Sequence, residues 1–278
     1  KEKGMALVDG LPSVILSNVA QLIQQKVPAA TAPLVKQFAE LLYNNISTLD
    51  LDQRNDSDMY GATLSLWNTL NDHQDDKPVI KVFNPQVSKN GWKSSHTIIE
   101  IIVRDMPFLV DSVRIALSRL HLTPHLMLNS PIKIIRDKSK HITQLSSSVD
   151  QSFKSTSVET VIFVEIDRQN DAAVLTKIAK ELHSVVSDIA LTVNDWQPMQ
   201  ARLRHVINDV KKAQLPCSKE EQNDSIDFLE WMLADNFTLL GYRSYHVKTL
   251  EGDIAPATDT DSSLGLMNQY DGTKERLI

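Results

Sequence analysis

Residues 96–104, His-Thr-Ile-Ile-Glu-Ile-Ile-Val-Arg, are rich in β-branched side chains and apolar at both parities of an extended chain. A strand with one wet face alternates apolar and polar residues, so a run like this one is expected at the centre of a sheet. Asp105-Met106-Pro107 then turns strand into helix. Asp105 is suited to accept from the unpaired N–H groups of a helix start, and Pro107 is tolerated in a first turn. Leu109, Val110, Val113, Ala116, Leu117 and Leu120 repeat at helical spacing, and Thr123-Pro124 ends the helix. Residues 126–136 read as a strand, with Pro131 marking an edge or bulge. A polar, Ser-rich loop is expected over 138–157 and an alternating strand over 158–166. Val174, Leu175, Ile178, Ala179, Leu182, Val185 and Val186 mark a second helix, and 189–193 a last short strand. The order β-α-β-β-α-β predicts an α+β fold, the ferredoxin-like split βαβ, with helices on one face of a mostly antiparallel sheet.

Around this core the pattern is helical. Val14, Ile15, Val19, Leu22 and Ile23 stripe a first helix that Ser13 is placed to cap and Pro28 to break. A second starts near Thr31 and Pro33 and carries Leu34, Val35, Phe38, Leu41, Leu42 and Ile46. A third, with Asp50 or Asp56 near its start, presents Tyr60, Leu64, Trp67 and Leu70. After the polar stretch 71–77, a short strand is expected over 79–83, closed by the turn signal Asn84-Pro85. Two helices follow the core: Trp196, Met199, Leu203 and Ile207 stripe one, and Ser218 with Glu221 forms a capping box for the other. Residues 237–247 begin a strand with Gly241 as a bulge candidate, and Glu251-Gly252-Asp253 reads as a turn. The division expected is a helical segment at 1–77, a βαββαβ domain at 78–195, connecting helices at 196–236, and the start of a further α/β module at 237–278.

Several functions are excluded or disfavoured by composition. At 278 residues, 42% apolar and 23% charged, the chain has the make-up of an ordinary globular protein of about two domains. A net charge of −6 offers no general attraction for phosphate backbones, so nucleic acid is not an expected partner. The single cysteine, Cys217, allows no internal disulfide, which fits a cytoplasmic setting. No signal peptide is expected, and apolar runs such as 161–164 are far short of a membrane span. The eight glycines form no Gly-x-Gly-x-x-Gly or Gly-Lys-Ser/Thr loop, which argues against a nucleotide site in this segment.

Residues 91–113, GWKSSHTIIEIIVRDMPFLVDSV, resemble the N-terminal region of the large NAD-specific glutamate dehydrogenases of bacteria. Gly91-Trp92, His96-Thr97, Glu100 and the run from Asp105 through Pro107-Phe108-Leu109-Val110-Asp111-Ser112 to Val113 carry the likeness. Asn84-Pro85 and the Phe237-x-Leu-Leu-Gly-Tyr-Arg243 run extend it over most of the chain. The resemblance implies an ACT-like domain in a parent enzyme that oxidises glutamate to 2-oxoglutarate and ammonia while NAD accepts hydride. In that family the dehydrogenase domain lies well downstream, so NAD belongs to the parent and no cofactor, metal or catalytic residue is expected in this segment. The remaining chain of the parent, further copies of itself in a homo-oligomer and an amino-acid effector are the partners implied.

ACT domains often bind amino acids near the first strand–helix turn. Asp105, Met106, Pro107, Phe108 and Asp111 occupy that turn here, with a helix start to receive a carboxylate and an acid to receive an ammonium. Phe108 departs from the glycine that many ligand-binding members carry just after the proline, and two acids at the turn oppose a carboxylate. The leading expectation is therefore a non-catalytic regulatory and assembly region. A stand-alone amino-acid sensor and a purely structural oligomerisation module are the alternatives. His121 and His125 have metal spacing, yet Thr123-Pro124 breaks any helix between them. His96 beside Ser94 and Ser95 lacks a nucleophile elbow and reads as structural. Trp92 is expected to anchor the strand start, and Arg202, Arg204, Lys211 and Lys212 to form a solvated helix face.

Overall fold

Strand β2 (Thr97–Arg104) has a neighbour on each side, as its composition demands. A computed structural model describes residues 14–44, 46, 54–73, 77–155, 157–250 and 253–269. The chain divides into two units, Lys1–His183 and Ser184–Ile278. In the first, β1 (Val79–Phe83), β2, β3 (Pro124–Arg136), β4 (Ile142–Ser147) and β5 (Ser157–Ile166) form an antiparallel sheet in the order β1-β2-β5-β3-β4. Strand β5 lies between β2 and β3, pairing Ile101 with Ile162 on one side and Asn129 with Ile162 on the other. That interleaving is the split βαβ of a ferredoxin-like α+β fold.

Two details of the sheet differ from expectation. Residues 189–193 are not a strand but part of a helix, Ala172–Asn194, which no glycine or proline interrupts. Val186, Ile189 and Thr192 continue its buried stripe, so helical packing overrides the β-branched local composition. The place beside β2 is taken instead by β1, from the N-terminal side. Conversely, the expected loop at 138–157 contains β4, whose Ile142 and Leu145 are buried while polar neighbours face outward. Pro131 sits one residue before β4 begins pairing with β3, where its missing N–H disturbs no ladder on that side.

The sheet is covered on both faces. Ile98, Ile102, Leu128, Ile132, Val161 and Phe163 face three N-terminal helices, α1 (Val14–Lys26), α2 (Ala32–Tyr43) and α3 (Asp56–Asp72), in one core. Ile99, Ile101, Val103, Ile162 and Val164 point the opposite way and are also buried. Leu109, Val113 and Leu117 of α5 (Leu109–Arg119) are buried as well, as are Ile178 and Leu182 of the helix at Ala172–Asn194, hereafter α6; a single turn, α4 (Val87–Asn90), precedes β2. Helices on one face were expected; the second layer comes from the N-terminal segment. Each such side chain contributes roughly 1.5–3 kcal/mol by leaving water.

Three buried glutamates fasten α3 across its face of the sheet. Glu165 of β5 takes two hydrogen bonds from Arg54 Nη1, at 2.7 and 2.8 Å, just before the helix. Glu100 of β2 accepts from Ser65 at 2.5 Å and Thr69 at 3.0 Å in its middle. Glu159 meets His73 at 2.8 Å at its end, and Arg136 at 3.1 Å. Arg136 also donates to the carbonyls of Leu70 and Asn71, satisfying the last turn. The first turn is capped by Asn55, whose side chain accepts from the N–H groups of Ser57 and Asp58, with Asp56 inside the helix. Ser13 and Asp50 lie outside the described residues. Pro28 follows the end of α1, and Pro33 stands in the first turn of α2.

In the second unit, α7 (Trp196–Lys212) and α8 (Lys219–Trp231) form a hairpin joined by Gln222, whose amide donates to the Val210 and Ala213 carbonyls. The capping box of Ser218 and Glu221 is present in both directions. Arg202, Arg204, Lys211 and Lys212 are exposed, as a solvated face would be. Strands β6 (Gly241–Leu250) and β7 (Asp253–Gly265) pair antiparallel; residues 251 and 252 lie outside the described residues. Gly241 stands at the start of β6 rather than as an interior bulge, and the register shift falls between Tyr242 and Ser244. Gly265 has φ +58°, and a Cβ there would come within 2.5 Å of the Leu240 carbonyl oxygen. Asp195 accepts from the Gly265 N–H at 2.7 Å and holds that turn.

Candidate functional site

The turn from β2 into α5 keeps Asp105, Met106, Pro107, Phe108 and Asp111 together, and all but half-buried Met106 are exposed. Asp105 is not the helix cap. Its carboxylate accepts from the Thr160 hydroxyl at 2.5 Å, and its N–H donates to the Val158 carbonyl, so it ties the end of β2 to β5. The N-cap position falls to Phe108, which makes no side-chain cap and adopts φ +68°. The left-handed region suits glycine and costs a bulky residue on the order of 1–3 kcal/mol. Phe108 does not fill a pocket either: it is 53% exposed. Asp111 stands in the first turn of α5, where a negative charge suits the helix start. Neither of the two cavities described next is lined by these five residues.

A cavity of about 450 Å³ opens where the start of α3 meets the ends of β2, β3 and β5. Its deep wall is aromatic. Trp92 is buried against Gly61, and its ring meets Phe83 edge-on at 6.5 Å. The Trp92 indole N–H is buried without an acceptor among the described residues. Tyr43 is also buried, with its hydroxyl 3.0 Å from Thr63, and burial pushes its pKa up to about 12. The rim is polar. His96 and His125 lie with rings 4.7 Å apart, His125 pairs with Asp167 at 2.7 Å, and His96 Nδ1 is 4.0 Å from Glu165. A second cavity, about 620 Å³, lies along α1 and α2.

The other candidates from sequence resolve into structure. His121 has φ +56° past the end of α5, whereas His125 belongs to β3 and faces His96 and Asp167, so the two do not form a ligand pair. Ser94 accepts from the His96 backbone N–H at 3.0 Å, and Ser95 lies 3.4 Å from its ring, with no Ser–His–acid line. Trp92 is the anchor its position suggested. What sequence reasoning missed is the gathering of Arg54, Lys93, His96 and His125 around one cavity, because they are 71 residues apart at the extremes and share no motif. The only available signal was a cluster of polar residues flanking the start of a strand buried on both faces.

The sheet order, the split βαβ and the strand–helix turn together define an ACT-like α+β domain. The chain belongs to the family described as glutamate dehydrogenase, ACT1 domain, whose model matches residues 38–182. It is 35% identical over 254 residues to an NAD-specific glutamate dehydrogenase of Halomonas elongata, covering 91% of this chain and 16% of that protein. It is likewise 35% identical over 234 residues to an NAD-specific glutamate dehydrogenase of Pseudomonas aeruginosa, covering 84% of this chain and 14% of that one. The chain thus spans less than a fifth of the length of these relatives.

Proposed function

We propose that this chain is a non-catalytic regulatory and assembly region of a large NAD-dependent glutamate dehydrogenase that converts glutamate, NAD and water into 2-oxoglutarate, ammonia and NADH. The observation that carries the reading is the strand–helix turn of an ACT1-family domain, with Phe108 offered to solvent from a left-handed backbone. An exposed phenylalanine held in strained geometry gains from burial only when another surface covers it. A second copy of the chain is the proposed cover, in a cytoplasmic homo-oligomer, with the remaining parent chain attached and NAD bound elsewhere in it. Among the described residues no helix is long and apolar enough to cross a membrane.

Sedimentation of the purified chain over a wide concentration range tests the assembly. A mass that rises with concentration, and falls to the monomer for Phe108→Ala without loss of fold, is the expected result. A monomer at every concentration contradicts it. An amino-acid effector at Asp105, Met106, Pro107, Phe108 and Asp111 is the second reading, favoured by the helix start and the exposed Asp111 side chain. It predicts a saturable thermal shift that Asp111→Ala abolishes.

A further inference from the structure

We infer that the cavity at the start of α3 is a binding site for a small zwitterion with an apolar body, a site separate from the strand–helix turn and independent of the assembly proposed above. Three observations carry this. First, the cavity is lined by an acid and a lysine that have no partner among the described residues, and by an arginine with donors to spare. Asp58 is half-buried in the first turn of α3, and its carboxylate has no partner among the described residues. Lys93, on the rim, has no partner there either. Both Arg54 bonds to Glu165 come from Nη1, which leaves Nε and Nη2 as further donors. An oppositely charged pair in one cavity normally closes up when within reach; here each charge remains available to a ligand group.

Second, part of the lining is an apolar wall of Met59, Ala62, Leu126 and Phe163. A bare inorganic anion makes no use of such a wall, and the carboxylates of Asp58 and Glu165 oppose a dianion such as phosphate. A molecule with one anionic group, one cationic group and a hydrocarbon body uses every part of it. Third, the frame is tied together: both Glu165 oxygens accept from Arg54 Nη1, Trp92 packs against Gly61, and the His96 and His125 rings lie 4.7 Å apart. The volume of about 450 Å³ falls within the range of small-molecule sites. The ligand's anion is received by Lys93 and the free donors of Arg54, its cation by Asp58, and its body by Phe163 and Met59.

The test is titration calorimetry of the whole chain with L-leucine, L-methionine and L-phenylalanine, each against its amine lacking the carboxylate and its acid lacking the amine. At least one amino acid binds saturably, and both truncated analogues bind weaker by roughly tenfold or more, the loss of one charged contact. Lys93→Ala and Asp58→Asn each weaken it by a similar factor, Lys93→Arg retains it, and Asp111→Ala leaves it unchanged. Without ligand, Lys93→Ala keeps the wild-type thermal midpoint, whereas Asp58→Asn lowers it slightly because a charge at the helix start is lost, so affinity and not the midpoint is the readout. Absence of binding by all three amino acids at millimolar concentration overturns the assignment. So does binding that both cavity variants leave intact, or that Asp111→Ala removes.

Discussion

A methyl group added at Gly61 would stand 2.3 Å from both Cβ and Cγ of Trp92. In an ordinary helix, glycine to alanine gains up to ~1 kcal/mol; inside α3 the sign reverses, because Trp92 is wedged and cannot retreat. Gly61→Ala is expected to destabilise the first unit by about 1–3 kcal/mol in denaturant titration, and an unchanged midpoint would show that Trp92 is not fixed. Phe108 presents the opposite case. Its exposed ring contributes little burial, while its left-handed backbone is strained, so Phe108→Gly leaves stability equal or raised by up to ~1 kcal/mol. A clear loss of stability would mean that the ring packs within the isolated chain. The Asp-x-Pro sequence announced this turn, but nothing in it marks a phenylalanine for positive φ. It equally hides that Asp105 is held by Thr160, a residue 55 positions away.

Helix α3 is fixed at both ends and in its middle by charges, which makes its attachment sensitive to pH. The hydrogen bond that His73 donates to Glu159 raises the pKa of His73 above 6.5. Burial pushes Glu159 up, but the His73 hydrogen bond and the Arg136 charge outweigh it and hold the carboxylate below 4.5. The contribution of His73 is thus complete below pH 6.5 and fades as pH rises through its raised folded value. That of Glu159 is complete above pH 4.5 and fades as pH falls through its depressed value. His73→Gln is expected to cost about 1.5–3 kcal/mol near pH 5.5 and less near pH 8.5; an equal cost at both contradicts the linkage. Glu100 responds the other way, since burial raises its pKa despite Ser65 and Thr69.

Elements with strong periodicity were legible: α1, α2, α3, α5 and β5 fall where spacing puts them, and β2 is central as its two apolar parities require. The misses share one cause. Residues 189–193 and 142–147 are short, and each takes its state from what lies beside it in space. The first continues a helix without a breaker; the second is an edge strand recruited by β3 through Ile142 and Leu145. The cavity was illegible for the same reason, because Arg54, Lys93 and His125 meet only after the sheet brings three strand ends under α3.

At the scale of the molecule, a sheet apolar on both sides is enclosed by helices in the first unit, and its buried glutamates are held by arginine, histidine and hydroxyl donors. The strand–helix turn and the cavity at α3 face outward in that unit with chemistry to offer. The proposed joining and regulatory role rests on these two features, in a chain that belongs to the ACT1-domain family of glutamate dehydrogenase. The most direct measurement is to assay the full parent dehydrogenase carrying Phe108→Ala for subunit mass, turnover and the response to added amino acids. The account predicts weakened assembly or an altered effector response, with the Michaelis constants for NAD and glutamate retained in the assembled fraction. An assembled enzyme of normal mass that loses turnover or NAD affinity on this substitution would contradict it, because the turn would then belong to the chemistry itself.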